Sequence, residues 1–246
     1  MIPSEIPGEI PAPALAEPRR PFFDYADLGV FIGLCIPCLF IAQLLVLGVT
    51  AAFHTSKTVQ QLLAQAIWYF LAFGALAVLF RIRYQEPFWR SLGWRSISIS
   101  TAAAAILGGL LLIVGLGIVY TALRTPDIPT PFEEMLGSPA SVVMLGLLAV
   151  ILGPVSEELA FRGFLMPLLI RSLGPAGGIV LTGILFGSAH GYEYQWSWQY
   201  MLLIALVGCT FGWAKYKTQS TITSVFMHVT FNLAQFAALM YRSRPL

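Results

Sequence analysis

Charge is what this chain has least of. Only 11% of its residues are Asp, Glu, Lys or Arg, 57% are hydrophobic and the mean hydropathy is +0.77. Soluble domains carry about a quarter of their residues as charged groups, so an ordinary water-soluble domain is excluded. The net charge of +2 is small and dispersed, which argues against a nucleic-acid partner. Cysteine is scarce too: Cys35, Cys38 and Cys209 all sit inside apolar runs, so they supply no disulfide framework. Cys35-Ile36-Pro37-Cys38 has the spacing of a redox pair but not its strand and helix context. It reads as apolar packing, with Pro37 kinking a helix.

What is present is a series of long apolar runs, which predicts an all-α, multi-pass transmembrane bundle. A chain of 246 residues has room for about seven spans, with six to eight allowed, of roughly 20 residues each. Run lengths place them near 27–53, 59–80, 98–123, 139–172, 176–190, 198–214 and 220–241. The fourth is too long for one straight crossing, and Gly153-Pro154 is expected to interrupt it, because proline removes a backbone donor and clashes with the preceding turn, so that residues 140–152 and 155–173 form two helices or one kinked helix. Residues 1–25 are expected to form a disordered, proline-rich tail. Residues 26–246 then form a single transmembrane domain. The tail has no basic region leading into a short apolar core and cleavage site, so the first span is expected to stay in place as an anchor.

If the broken fourth segment crosses once, Arg19, Arg20, Arg81, Arg83, Arg90, Arg95, Arg171, Lys215 and Lys217 fall on one side. Lys57, Arg124, Arg242 and Arg244 fall on the other. The positive-inside rule then puts the N-terminus in the cytoplasm, and a double crossing keeps that assignment while reversing the C-terminal side. Short loops point to a bacterial plasma membrane. The tryptophans mostly lie near predicted span ends, as interfacial anchors do. His54, in the polar turn His54-Thr55-Ser56-Lys57, reads as an interfacial residue without a catalytic role.

Against this apolar background, three stretches concentrate polar chemistry: Glu157-Glu158-x3-Arg162, Phe186-x3-His190 and His228-x3-Asn232. Ionisable groups at membrane depth are costly and mark functional sites by default. On a helix, Glu158 and Arg162 are an i, i+4 pair with the acid nearer the N-terminus, the favourable order. Glu157 is turned about 100° away. Arg162 then neutralises and orients Glu158, leaving Glu157 to face a cavity as a general base. His190, His228 and Asn232 come from two further helices and could converge with Glu157 on a water molecule.

Two schemes use this set. In one, Glu157, His190 and His228 hold a divalent metal such as zinc, whose bound water is the nucleophile. In the other no metal is needed: Glu157 and His190 activate water, while His228 and Asn232 stabilise the developing oxyanion. The chain has no H-E-x-x-H, and the candidate ligands come from separate helices. Each residue also has a structural reading: Asn232 as interhelical glue, a histidine bonded to a backbone carbonyl, and the Glu-Glu-Arg group as an ion network bracing the Gly-Pro break. Gly183-x3-Gly187 and Gly208-x3-Gly212 could bring helix backbones close around the site.

Glu157-Glu158-Leu159-Ala160-Phe161-Arg162-Gly163, Phe186-Gly187-Ser188-Ala189-His190 and His228-Val229-Thr230-Phe231-Asn232 together resemble the CPBP family. These are intramembrane endopeptidases that process CAAX proteins and bacteriocins, similar to the eukaryotic type II CAAX prenyl endopeptidase. The resemblance covers roughly residues 140–241. It implies a helical membrane protease that cuts a peptide bond of a membrane-associated protein or peptide near the bilayer face. It also implies that Glu157 and His190 activate water and that His228 and Asn232 form the oxyanion site, with Glu158 and Arg162 in support. The competing classes are a non-catalytic membrane factor of the bacteriocin immunity or binding type, and a transporter using the same groups as a proton relay. Transporters usually show paired halves with matched broken helices, whereas the polar groups here all lie in one half.

Overall fold

The computed structural model describes residues 21–53 and 55–243. His54, residues 1–20 and residues 244–246 lie outside them, so the readings made of those residues, Arg19, Arg20 and Arg244 included, are not addressed. The described residues are all-helical, with seven long helices: α1 (Tyr25–Ala52), α2 (Lys57–Tyr84), α3 (Ile99–Ala122), α4 (139–173), α5 (175–189), α6 (Trp198–Thr218) and α7 (Thr221–Arg242). Five stretches among them, Tyr25–Ala51, Lys57–Tyr84, Ile99–Ala122, Pro139–Ala189 and Thr221–Arg242, are long and apolar enough to cross a membrane. The protein is an integral membrane protein.

Local chemistry starts these helices where the sequence changes from polar to apolar. Asp24 caps α1 in a reciprocal box with Asp27, Ser56 caps α2, Ser98 caps α3, and Ser138 followed by Pro139 opens α4. Outward faces such as Ile32, Ile36, Phe40 and Leu44 of α1 are exposed, as lipid-facing residues are. Inward, Phe23, Phe31, Leu76, Phe80, Leu159, Phe164 and Leu168 tie α1 and α2 to α4. Ala105, Val207, Phe211, Met227 and Phe231 join α3, α6 and α7.

Two expectations need correction. The tail does not extend to residue 25. Phe23 is fully buried in the first cluster, Asp24 caps α1 and the Tyr25 hydroxyl donates to the Leu168 carbonyl at 3.1 Å. At Gly153-Pro154 the chain likewise does not part into two helices, and the alternative of one continuous, irregular helix holds. Both flanking residues keep helical dihedrals, and widened π-turns at Leu148–Leu152 and Leu159–Leu165 enclose the short α-helical stretch Gly153–Glu158. A wide turn shifts the hydrogen-bond ladder, so proline's missing donor and ring are accommodated without leaving the helix. The chain reverses instead at Gly174-Pro175, where Gly174 adopts φ 72°, ψ 173°. A side chain at Gly178 would come within 2.7 Å of the Ile170 backbone, so α5 folds directly back on α4.

Because α4 is one helix, the seven elements put Pro21 and Ser243 at opposite ends of the bundle. One end gathers Arg81, Arg83, Arg90, Arg95, Arg171, Lys215 and Lys217. The other carries the 123–138 and 190–197 connections, with Asp127, Glu133, Glu134 and Glu193.

Candidate active site

Helix α4 supplies the acidic pair, and its rotation separates the two carboxylates as the spacing predicts. Glu158 is fully buried, whereas 28% of the Glu157 side chain is exposed. Arg162 Nη1 donates to Glu158 Oε1 at 2.9 Å, and Nη2 donates to the Gly208 carbonyl of α6 at 2.8 Å. The guanidinium lies 4.4 Å from the Phe186 ring centre and 5.5 Å from that of Phe211, so a fully buried cation is held by one carboxylate, one carbonyl and aromatic faces.

That arrangement requires α5 and α6 to approach closely, which is where the two glycine pairs act. A side chain at Gly208 would meet Gly183 Cα at 3.0 Å and Arg162 Nη2 at 3.2 Å, while one at Gly183 or Gly187 would strike the α6 backbone. The glycines therefore pack helices, as small residues do in membranes. One consequence is the open route from Arg162 to the Gly208 carbonyl.

His228 of α7 occupies the position between the acids. Its Nδ1 is 2.9 Å from Glu158 Oε1, and its Nε2 is 3.8 Å from Glu157 Oε2. A carboxylate already accepting from Arg162 also accepts the hydrogen bond donated by Nδ1–H, which fixes the imidazole's orientation. Nε2 is then an acceptor in the neutral ring and a donor only in the imidazolium. Phe186 packs against both imidazoles, 4.8 Å from His190 and 5.9 Å from His228 between ring centres. His190 ends α5 with its Nδ1 2.8 Å from the Phe186 carbonyl, leaving Nε2 available. The antiparallel contacts of α5 with α4, Phe161 with Phe186 and Ile170 with Gly178, place His190 level with Glu157.

Asn232 lies one turn beyond His228 and donates to the Ala149 carbonyl at 2.7 Å. Ala149 belongs to the first π-turn, so this amide ties α7 to the widened part of α4 and retains one N–H. All six predicted residues thus lie on α4, α5 and α7 around one centre. Their contacts add to those expected for catalysis: Glu158 serves His228 as well as Arg162, His190 meets a backbone carbonyl and Asn232 joins two helices. Glu158 Oε2 and Arg162 Nε have no hydrogen-bond partner.

Glu157, His190 and His228, named for a metal, were tested for fit. Among the described residues no group of three His, Cys, Asp or Glu side chains is gathered closely enough to hold one. Both Nδ1 atoms are engaged as above, which leaves the two Nε2 atoms as the ring nitrogens open to a ligand.

Sequence reasoning missed Glu193, in the loop after His190. Burial raises its carboxyl above the ordinary range and Glu157 adds to that, while His190 and a hydrogen bond from Tyr194 act the other way. Glu193 also lines a pocket of about 540 Å³ with Glu133, Glu134, Tyr192 and Trp196. Its spacing of three from His190 was the available signal.

Fold and centre together define an integral membrane protein with a buried Glu-His-Arg network beside a partly open carboxylate. Residues 139–234 match the family model described as "Type II CAAX prenyl endopeptidase Rce1-like". The matched stretch is similar to that family of membrane proteases, and it contains every residue of the centre. No curated protein and no solved structure matches the chain.

Proposed function

We propose that the chain is an intramembrane endopeptidase in which Glu157 activates water for attack on a peptide carbonyl. The observation that carries this reading is the placement of His228 between a buried carboxylate that orients it and a partly exposed one that faces outward. Glu157 takes a proton as the water oxygen bonds to the carbonyl carbon. His190, level with it, shares the positioning of that water through Nε2. Imidazolium His228 and the remaining Asn232 N–H donate to the oxyanion. Collapse of the tetrahedral centre breaks the C–N bond, and the proton held by Glu157 passes to the leaving amine. Glu158 and Arg162 act through His228 and are positioning residues. No step is routed through a metal.

The substrate class is a membrane-associated protein or peptide whose scissile bond reaches the level of His190. Prenylated CAAX-type proteins and bacteriocin-type leader peptides both satisfy this. With the basic end in the cytoplasm, the N-terminus is cytoplasmic, in a bacterial plasma membrane by the short loops. The test compares peptides released from membranes carrying wild-type or Glu157→Gln protein at equal abundance. Peptides seen only with wild type identify the substrate; identical sets would overturn the proposal.

A further inference from the structure

At the basic end, four cationic side chains from three separate parts of the chain line one pocket of about 290 Å³: Arg90 and Arg95 from the α2–α3 connection, Arg171 from α4 and Lys215 from α6. Like charges repel, and a fold that draws four of them together in excess of nearby carboxylates leaves a local field for an anion. Among the described residues, ion pairs join only Arg83 to Asp27, Arg162 to Glu158, and His228 to Glu157 and Glu158, so none of the four is in contact with a carboxylate, Asp24 being near enough to Arg171 only to feel its charge. Arg171, exposed like Arg90 and Arg95, donates at the pocket rim to the Pro21 and Phe23 carbonyls at 3.4 Å each, and Lys215 is the half-buried member of the four.

The walls are built to keep this space. Gly93, at φ 72°, turns the connection so that its carbonyl accepts from the Thr221 backbone at 2.9 Å, and the position of an added side chain there is 3.7 Å from Lys215 Cε. Gly163 of α4 lies beneath, where a side chain would come 2.9 Å from the Leu92 carbonyl. Beside the pocket Trp89 is 52% exposed, with its ring 5.1 Å from that of Trp94. Such a pair at helix ends marks the headgroup layer of a bilayer. Arginine forks suit phosphate oxygens, and basic pockets between transmembrane helices take anionic headgroups.

We propose that this pocket binds the phosphate headgroup of an anionic membrane lipid and clasps the ends of α4 and α6 to the 90–95 connection. Its site is separate from the proposed protease centre and does not depend on it. Gly163 adjoins Arg162, so the clasp also steadies the helix that carries the acidic pair.

The test uses the full chain in nanodiscs of phosphatidylcholine with or without phosphatidylglycerol, with native mass spectrometry of the released protein. Wild type is expected to retain phosphatidylglycerol and to melt higher when it is present. Arg95→Gln and Lys215→Gln should each weaken retention about tenfold, the loss of one charge-assisted bond, while Lys215→Arg restores it. Arg81→Gln and Lys217→Gln, on the same end but outside the pocket, should leave retention unchanged. Equal losses in pocket and control variants would reduce the effect to general surface charge and overturn the site. Inorganic phosphate added to phosphatidylcholine nanodiscs should not reproduce the rise in melting temperature. A full rise would assign the pocket to a soluble phosphate and overturn the lipid as its occupant. A cooperative melt of each variant in phosphatidylcholine alone separates lost binding from failed folding.

Discussion

Asp27 and Glu158 are both fully buried carboxylates facing an arginine, and they are held in opposite ways. Asp27 accepts from Arg83 at 2.6 Å on Oδ1, and on Oδ2 from the Tyr84 hydroxyl at 2.6 Å and the Asp24 amide at 2.9 Å. Its arginine is 45% exposed at the bundle end. Glu158 takes both Arg162 and His228 on one oxygen, Oε1, and its arginine is fully buried. The carboxylate that fastens helices at the bundle end spreads its partners over both oxygens and reaches water through its arginine. The one that holds an imidazole in place does so in a dry environment, which is costly to fold and is of the kind found at functional sites.

The sharpest break in this comparison comes from the imidazoles. His228→Ala and His190→Ala are each expected to lower peptide release by about 10² to 10⁴-fold, the range of a lost acid-base group, with melting temperature changed less for half-buried His190 than for buried His228. Glu158→Gln should show both faces of its residue. It leaves the Arg162 charge buried without compensation, costing about 3–5 kcal/mol, and the loosened His228 should slow cleavage about 10–100-fold. Glu158→Gln with Arg162→Met should recover stability without recovering rate. Asp27→Asn is the counterpart: about 1 kcal/mol, because water reaches Arg83, and no change in rate.

Glu193 gives a smaller, pH-dependent effect. Its folded value lies above the unfolded one, so between the two the unfolded chain binds fewer protons and stability falls as pH rises. Glu193→Gln should therefore melt higher than wild type at about pH 8 and lose that advantage near pH 4, about the ordinary glutamate range. Equal melting at both values would place the carboxyl in water. The smallest expected effect is that of a chelator. With Glu157, His190 and His228 not gathered as three ligands, elemental analysis of active protein should find no equivalent of divalent metal, and chelation should leave the rate unchanged. One bound equivalent whose removal abolishes cleavage would install the metal scheme.

Spacing along single helices carried the legible part of this molecule. The seven apolar runs correspond to the seven helices, and the rotation between adjacent residues separated Glu157 from Glu158 correctly. Pairings across helices were not legible. Glu158 with His228 and Asn232 with Ala149 depend on which faces of α4 and α7 meet, and nothing local to either segment encodes that. The two Gly-Pro pairs show the same limit. Gly153-Pro154 is buried and stays helical, whereas at the turn Gly174 is half-buried and Pro175 exposed. An identical dipeptide has two outcomes because its surroundings decide between them.

The division of labour between the adjacent glutamates is tested most directly by the cleavage rate of purified Glu157→Gln protein, with its melting temperature taken on the same preparation. Glu157 is partly exposed and has no guanidinium partner, so the amide should fold as wild type and release no peptide. Wild-type cleavage by folded Glu157→Gln protein would contradict the assignment of Glu157 as the base.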